Sequence, residues 1–243
     1  MKVFSKVTNR LKLSFGTDYF LTNFDESYKP FQQNSLTTGY NAGIAALYSE
    51  MDYFFSKKLA FNFGIRTSNN NLLNEFSTTP RASIAFKTGK FNQFSFAYGK
   101  FEQAPKAEYL KYANNFDNEK TQHYILNYTF AKEGTTFRAE TYYKNYNDLV
   151  KFDTQAPVFN SNYSNTGSGY AKGLDIFYRE DNRIKNLQYW ISYSFIDTQR
   201  DYRNYSQQAT PSFVAKHTAS IVTKYWISSL RSQLGLTYNF NSG

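Results

Sequence analysis

The chain of 243 residues carries two histidines, His123 and His217, and no cysteine. Neither histidine falls in a His-x-x-x-His or Glu-x-x-His spacing, so no helix face is set up to hold zinc. Without a thiolate there is no disulfide and no cysteine-ligated metal. A nucleophilic hydrolase needs a serine, a histidine and a group that orients the histidine. His217 has Ser220 and Asp197 available as such a set, provided strand register brings them together. The acid pair Asp25-Glu26 and the triplet Glu180-Asp181-Asn182 offer oxygen ligands, but the spaced Asp-x-Asp-x-Asp of a calcium loop is missing. They read as solvated turn charges. The stretch "NTGSG" (165–169) is glycine-rich, yet no Lys-Ser/Thr follows and no helix starts there. It reads as a strand entry where glycine eases a bulge. Neither a cofactor nor a metal is expected, and the chain is read as a non-enzyme.

Aromatic rings are the other chemistry-bearing groups. The chain has 22 Tyr and 24 Phe, 20% aromatic with Trp, and rings stack on sugars and bases. Most of them, however, alternate with polar residues along extended segments. In "LRSQLGLTYNFN" (230–241), Leu234, Leu236, Tyr238 and Phe240 share one parity and Arg231, Gln233, Gly235, Thr237 and Asn239 the other. Successive side chains of a strand point to opposite faces, so one face is oily and the other wet. The same pattern recurs at Leu59–Ile65, Ala82–Phe86, Phe94–Tyr98, Tyr124–Phe130 and Leu187–Phe195, and helical periodicity is almost absent.

About eleven strands are expected, many of ten or so residues. A globular strand is typically about five or six residues, whereas a tilted membrane-spanning strand needs about nine to eleven. Connections sort into two kinds that alternate. Short turns fall at 56–58, 88–92, 132–135, 180–185 and 228–229. Long polar loops fall at 22–37, 68–80, 102–118, 151–169 and 200–213, with one helix-like patch, "PKAEYLKYAN" (105–114). Membrane barrels segregate their connections in this way. The expectation is an all-β antiparallel transmembrane barrel, and residues 1–243 are read as part of a larger one. Eleven strands leave two unpaired edges, which lipid does not tolerate. A signal peptide and at least one returning strand are expected to lie outside the chain.

Polar-parity charges would line the lumen: Arg66, Arg81, Arg138, Glu140, Asp175, Arg179 and Arg231. Loop aromatics have no lipid to cover and are the candidates for ligand contact: Tyr28, Phe31, Tyr109, Tyr112, Phe116, Phe159, Tyr163, Tyr202 and Tyr205, with Phe24 beside them. The net charge of +9 is dispersed rather than gathered into a basic run, which argues against nucleic acid as a partner.

Several segments resemble the barrel of TonB-dependent outer-membrane receptors. They are "YGKFEQAPKAEYLKYANNFDNEKTQHYILNYTF" (98–130), "TTFRAETYYKNYNDLVKF" (135–152) and "SNTGSGYAKGLDIFYRED" (164–181). "YWISYSFIDTQRDYRN" (189–204), "PSFVAKHTASIVTKYWI" (211–227) and "LGLTYNFNSG" (234–243) follow in the same order. The variant with a carboxypeptidase-regulatory-like domain, common in Bacteroidetes, is the most similar. The resemblance implies a barrel of about 22 strands, of which this chain supplies roughly half. It also implies a plug domain and a TonB contact located in another part of the protein, outer-membrane lipid around the wall, and active uptake of a small-molecule or oligomeric nutrient. A passive porin-like channel and a soluble all-β adhesin or glycan-binding module are the rival readings.

Overall fold

The computed structural model describes residues 2–29 and 36–242. Among the described residues, alternating sequence becomes a single antiparallel sheet of twelve strands, each paired to its chain neighbours, with isolated bridges from Lys151 to Arg203 and from Arg200 to Ala209. The strands are β1 (Lys2–Lys6), β2 (Leu11–Tyr28), β3 (Leu36–Phe54), β4 (Leu59–Asn70), β5 (Glu75–Lys87) and β6 (Asn92–Gln103). After the one short helix α1 (Ala107–Leu110) come β7 (Glu119–Lys132), β8 (Thr135–Phe152), β9 (Tyr163–Ile184), β10 (Leu187–Asp201), β11 (His217–Ile227) and β12 (Ser232–Asn241). The first and last strands do not meet, so the sheet is an unclosed part of a barrel.

The faces are inverted relative to a soluble sheet. Direct cross-strand partners share a face, and one row runs Tyr53, Phe61, Ile84, Phe96, Leu126, Thr141, Leu174, Phe195 across seven ladders. These apolar side chains are the exposed ones: Phe63 and Leu126 are each 47% accessible and Leu236 67%. The opposite parity is more enclosed although it is polar, with Ser14, Ser77 and Thr79 buried. Such asymmetry follows when a sheet curves round its polar face. At about 25 cal/mol per Å², the exposed Leu, Ile and Phe band would strongly disfavour water.

Twelve strands replace the expected eleven. The extra one is β1, whose five residues "KVFSK" put Val3 and Phe4 side by side and give no alternation to read. Three expected loops also shrink. Strand β2 runs to Tyr28 and β3 starts at Leu36, the 68–80 loop contracts to residues 71–74, and the 151–169 loop to 153–162. The expected turn at 180–185 is likewise mostly strand, and only residues 185–186 connect β9 to β10. In these extensions both faces are polar, so the hydrophobic alternation fades while backbone pairing continues, as in Asp25 opposite Gly39 and Glu26 opposite Thr38. At about 3.3 Å per residue, the 22 residues of β9 reach roughly 70 Å, far beyond a hydrocarbon layer of about 30 Å.

The two ends of the sheet differ. One end carries six tight connections, at 7–10, 55–58, 88–91, 133–134, 185–186 and 228–231. In the two-residue turn Glu133 and Gly134 both have positive φ, 47° and 93°, the backbone of a type I′ hairpin. Glu180 caps this end: its carboxylate accepts from the Thr135 hydroxyl at 2.7 Å and from the Asn182 and Arg183 amides at 3.1 and 3.0 Å. The opposite end carries the longer connections, including 104–118, 153–162 and 202–216.

Candidate functional site

Six of the seven polar-parity charges lie on one face. The ladders carry the parity from Arg66 opposite Thr79, through Arg81 opposite Gly99, to Glu140 opposite Asp175, with Arg138 and Arg179 at even spacings along the same strands. Arg66 pairs with Asp18 at 2.6 Å and lies 5.8 Å from the Tyr48 ring. Arg81 lies over Phe101 at 5.7 Å. Arg179 bonds Asp181 at 2.9 Å and shares the Trp190 ring with Lys224. Glu140 accepts from Asn127 at 3.3 Å and faces Asp175 across the ladder. Arg231 is the exception. It sits in the 228–231 turn at φ 48°, off the face.

The hydrophobic cluster of fully buried residues lies at the long-loop end. Tyr109 and Phe116, each 3% accessible, pack with Leu110, Val150 and Phe152, and Tyr40, Leu72, Leu73, Ala113 and Tyr163 close round them. The helical turn α1 places Tyr109 and Leu110 on one side, toward β8. The 104–118 loop is then fastened to several strands. Lys111 bonds Glu26 at 2.7 Å, and its carbonyl accepts from the Thr38 hydroxyl. Asn165 accepts from the Asp117 amide and donates to the Asp117 carbonyl, both at 3.0 Å. The bond to Glu26 also holds the Lys111 ammonium above its ordinary pKa.

The loop aromatics therefore divide. Tyr109 and Phe116 are withdrawn into the cluster, where they pack against Phe152 at 5.9 Å and Tyr163 at 5.5 Å. Burial pushes the Tyr109 hydroxyl well above the usual tyrosine range. This placement sets both rings in the interior of the loop end rather than on an open rim. Tyr112 meets Phe159 edge-on at 4.9 Å, Tyr202 meets Tyr205 at 5.1 Å, and Tyr28 is exposed. Phe24 stacks on Tyr40 at 5.4 Å. Phe31 lies outside the described residues.

Beside the cluster a cavity of about 210 Å³ opens between β6, β7, β8 and β10, lined in part by Phe101, Tyr109, Thr121, Tyr146, Arg200 and Tyr202. The Arg200 guanidinium lies 4.6 Å from the Tyr146 ring and 5.7 Å from the Tyr202 ring. Among the described residues, its Nε is buried without a hydrogen-bond partner, as is the Thr121 hydroxyl. Buried donors left unsatisfied cost about 1–3 kcal/mol each, so this corner is suited to receiving an acceptor. Sequence reading missed Arg200, Tyr146 and Thr121. For Arg200 the one signal was parity, since "DTQRDYRN" (197–204) offers no apolar alternation to count.

The hydrolase set does not assemble. His217 faces the apolar side, where its Nδ1 lies 2.9 Å from the Tyr193 hydroxyl. Ser220 is three residues on in the same strand and points to the other face. No cluster of three or more metal-ligating side chains occurs among the described residues.

Loop 153–162 is closed by Asp153, whose carboxylate accepts from the Asn162 amide at 2.9 Å and from its side chain. These bonds hold the Asp153 carboxyl below its ordinary value. A carboxyl depressed by folding stabilises the closed loop above its unfolded pKa of about 3.9 and loses that contribution as pH falls through the folded value. Amide exchange in 153–162 is therefore expected to be flat from pH 7 to 5 after correction for intrinsic rates. Protection should drop below about pH 4, and Asp153→Asn should remove that pH step.

Residues 3–243 match the family model described as "TonB dependent receptor-like, beta-barrel". The chain belongs to the TonB-dependent receptor β-barrel family. Solved members share its fold at low identity. The copper transporter OprC superposes with a TM-score of 0.76 at 11% identity, over 98% of this chain and 43% of that one. The ferric yersiniabactin uptake receptor FyuA from Yersinia pestis gives 0.74 at 14%, over 99% and 41%. The FrpB iron transporter from Neisseria meningitidis gives 0.74 at 11%, over 96% and 41%. This chain thus spans about two-fifths of the length of the receptors it matches. No curated protein matches it in sequence. The family fold accounts for the inverted faces, because a receptor barrel turns its apolar side outward.

Proposed function

We propose that this chain forms wall and mouth of an outer-membrane receptor that takes up a nutrient by TonB-driven transport. The observation that carries the reading is the exposed apolar face of a curved family sheet, with its polar face enclosed and its long loops gathered at one end. A soluble adhesin or glycan-binding module would bury that band. Six of the seven predicted lumen charges, Arg231 excepted, share the enclosed face with serines and threonines, and there they would contact water and a plug domain. The loop end would meet the outside, as long connections do in this class. Energy coupling would come from plug and TonB-contacting segments elsewhere in the complete receptor. The carboxypeptidase-regulatory-like variant rests on the sequence motifs. The chain's part is binding and passage, with no reaction catalysed.

Nutrient capture would use the exposed Tyr28 and Phe159 and the half-buried Tyr112, Tyr202 and Tyr205 at the loop end that holds the Arg200 cavity. The matched structures are an iron transporter, a ferric yersiniabactin uptake receptor and a copper transporter, so metal complexes are the first ligands to try. Uptake of a labelled ligand by cells carrying the complete receptor should require TonB and an energised inner membrane. Uptake that persists without either identifies a passive porin instead. In the complete receptor, Arg200→Gln should raise the half-saturating ligand concentration about ten-fold, the scale of one charge-assisted hydrogen bond. Maximal uptake should be unchanged.

A further inference from the structure

The net charge of +9 is polarised along the barrel. Segments at the tight-turn end (2–12, 52–60, 85–94, 130–138, 179–188 and 224–233) hold fifteen of the 28 basic residues and four of the 19 acidic ones. Segments at the long-loop end (23–41, 69–76, 100–120, 147–165 and 197–217) hold nine basic residues against eleven acidic ones. The excess positive charge of the whole chain is therefore concentrated at the tight turns.

The two ends also use their charges differently. At the loop end five of the nine cations are spent internally: Lys100–Glu102, Lys106–Glu108, Lys111–Glu26, Lys120–Asp148 and Lys151–Asp201 are ion pairs. At the turn end Arg10, Lys57, Lys58, Lys90, Lys185 and Arg231 are all exposed. None of these six is in an ion pair among the described residues. Close inboard, on the apolar face, lies an aromatic belt that includes Tyr53, Phe86, Phe94, Phe137, Tyr189 and Tyr225. Aromatic girdles mark the headgroup level of a bilayer. Unpaired cations just beyond such a belt stand where lipid phosphates are.

We propose that the tight-turn rim binds anionic phospholipid headgroups, of the phosphatidylglycerol kind, in the leaflet it meets. The proposal rests on the outer-membrane reading above. Lipid is favoured over a soluble acidic partner because the cations recur at five of the six tight turns and border the aromatic belt. A cation at a charged membrane surface contributes about five-fold in local lipid partition at low ionic strength, and salt screens it.

The test uses the complete receptor in vesicles of equal parts phosphatidylethanolamine and phosphatidylglycerol, with the lipids that remain bound counted by native mass spectrometry. The parent should retain phosphatidylglycerol several-fold over its bulk share at low salt and lose that preference at 0.5 M salt. Lys57→Glu with Lys58→Glu should reduce the preference by about ten-fold or more. Lys106→Glu with Lys216→Glu, the same charge change at the loop end, should leave it intact. Lys57→Gln with Lys58→Gln, the milder change, should fall between and guards against misfolding. Retention of the two lipids in their bulk ratio by the parent overturns the proposal, as does an equal loss in the two Glu variants. A receptor that enters neither these vesicles nor purely zwitterionic ones sinks the membrane reading, and the rim with it. Insertion without lipid preference sinks the rim alone.

Discussion

Arginine at Leu126 is expected to destabilise the inserted receptor by about 2–4 kcal/mol, while arginine at the next residue, Asn127, should cost less than about 0.5 kcal/mol. Leu126 is central in β7, 47% accessible, and flanked on its face by Phe96 and Thr141. A guanidinium there must desolvate into hydrocarbon or drag water inward. Asn127 points the other way, donates to Glu140, and stands beside the uncompensated Glu140–Asp175 pair. An arginine at that position meets carboxylates in a wet space. Urea unfolding of the complete receptor in vesicles measures both. Equal costs at 126 and 127 would mean that the two faces do not see different solvents.

Phe152→Ala should open the loop end without loosening the wall. Phe152 is 4% accessible and contacts Tyr109 and Tyr163 at 5.9 and 6.2 Å. Removing a buried phenylalanine costs about 3–5 kcal/mol. The cluster is small, so that cost falls mainly on local opening rather than on global unfolding. Amide protection across 104–118 should fall roughly a hundred-fold or more, while amides at the centres of β7 and β8 keep theirs. Ligand capture should weaken in the same variant, since the cluster positions Tyr112 and the Arg200 cavity wall.

How much of this could be read beforehand depends on where hydrophobicity alternates. In strands such as β4 and β6 apolar residues alternate with polar or small ones, and parity alone identifies the exposed side. It fails where both faces are wet. The outer halves of β2, β3 and β9 look like loop sequence because no apolar parity survives there, yet ladder hydrogen bonds continue unaided. Strand β1 was invisible for the opposite reason, with Val3 and Phe4 adjacent and lysines at both ends. The helical patch at 105–114 was legible, and the structure forms a helical turn within it at Ala107–Leu110. What could not be read is which loop aromatics pack against each other. Phe116 and Tyr112 are alike in sequence, but their fates depend on long-range partners, Tyr163 and Phe159. Nor could Arg200 be singled out, since its value lies in two tyrosines brought from β8 and the 202–216 loop.

The account stands on which solvent each face of β7 meets. The chain has no cysteine, so single cysteines placed along 123–130 of the complete receptor can carry nitroxides once any native cysteine elsewhere in it is replaced. Their accessibility to oxygen and to a water-soluble nickel chelate, read by electron paramagnetic resonance in vesicles, should alternate with a period of two. Labels at 124, 126, 128 and 130 should favour oxygen, and those at 123, 125, 127 and 129 the chelate. Loss of alternation, or the reverse phase, would contradict the claim that the leucine and phenylalanine side faces lipid.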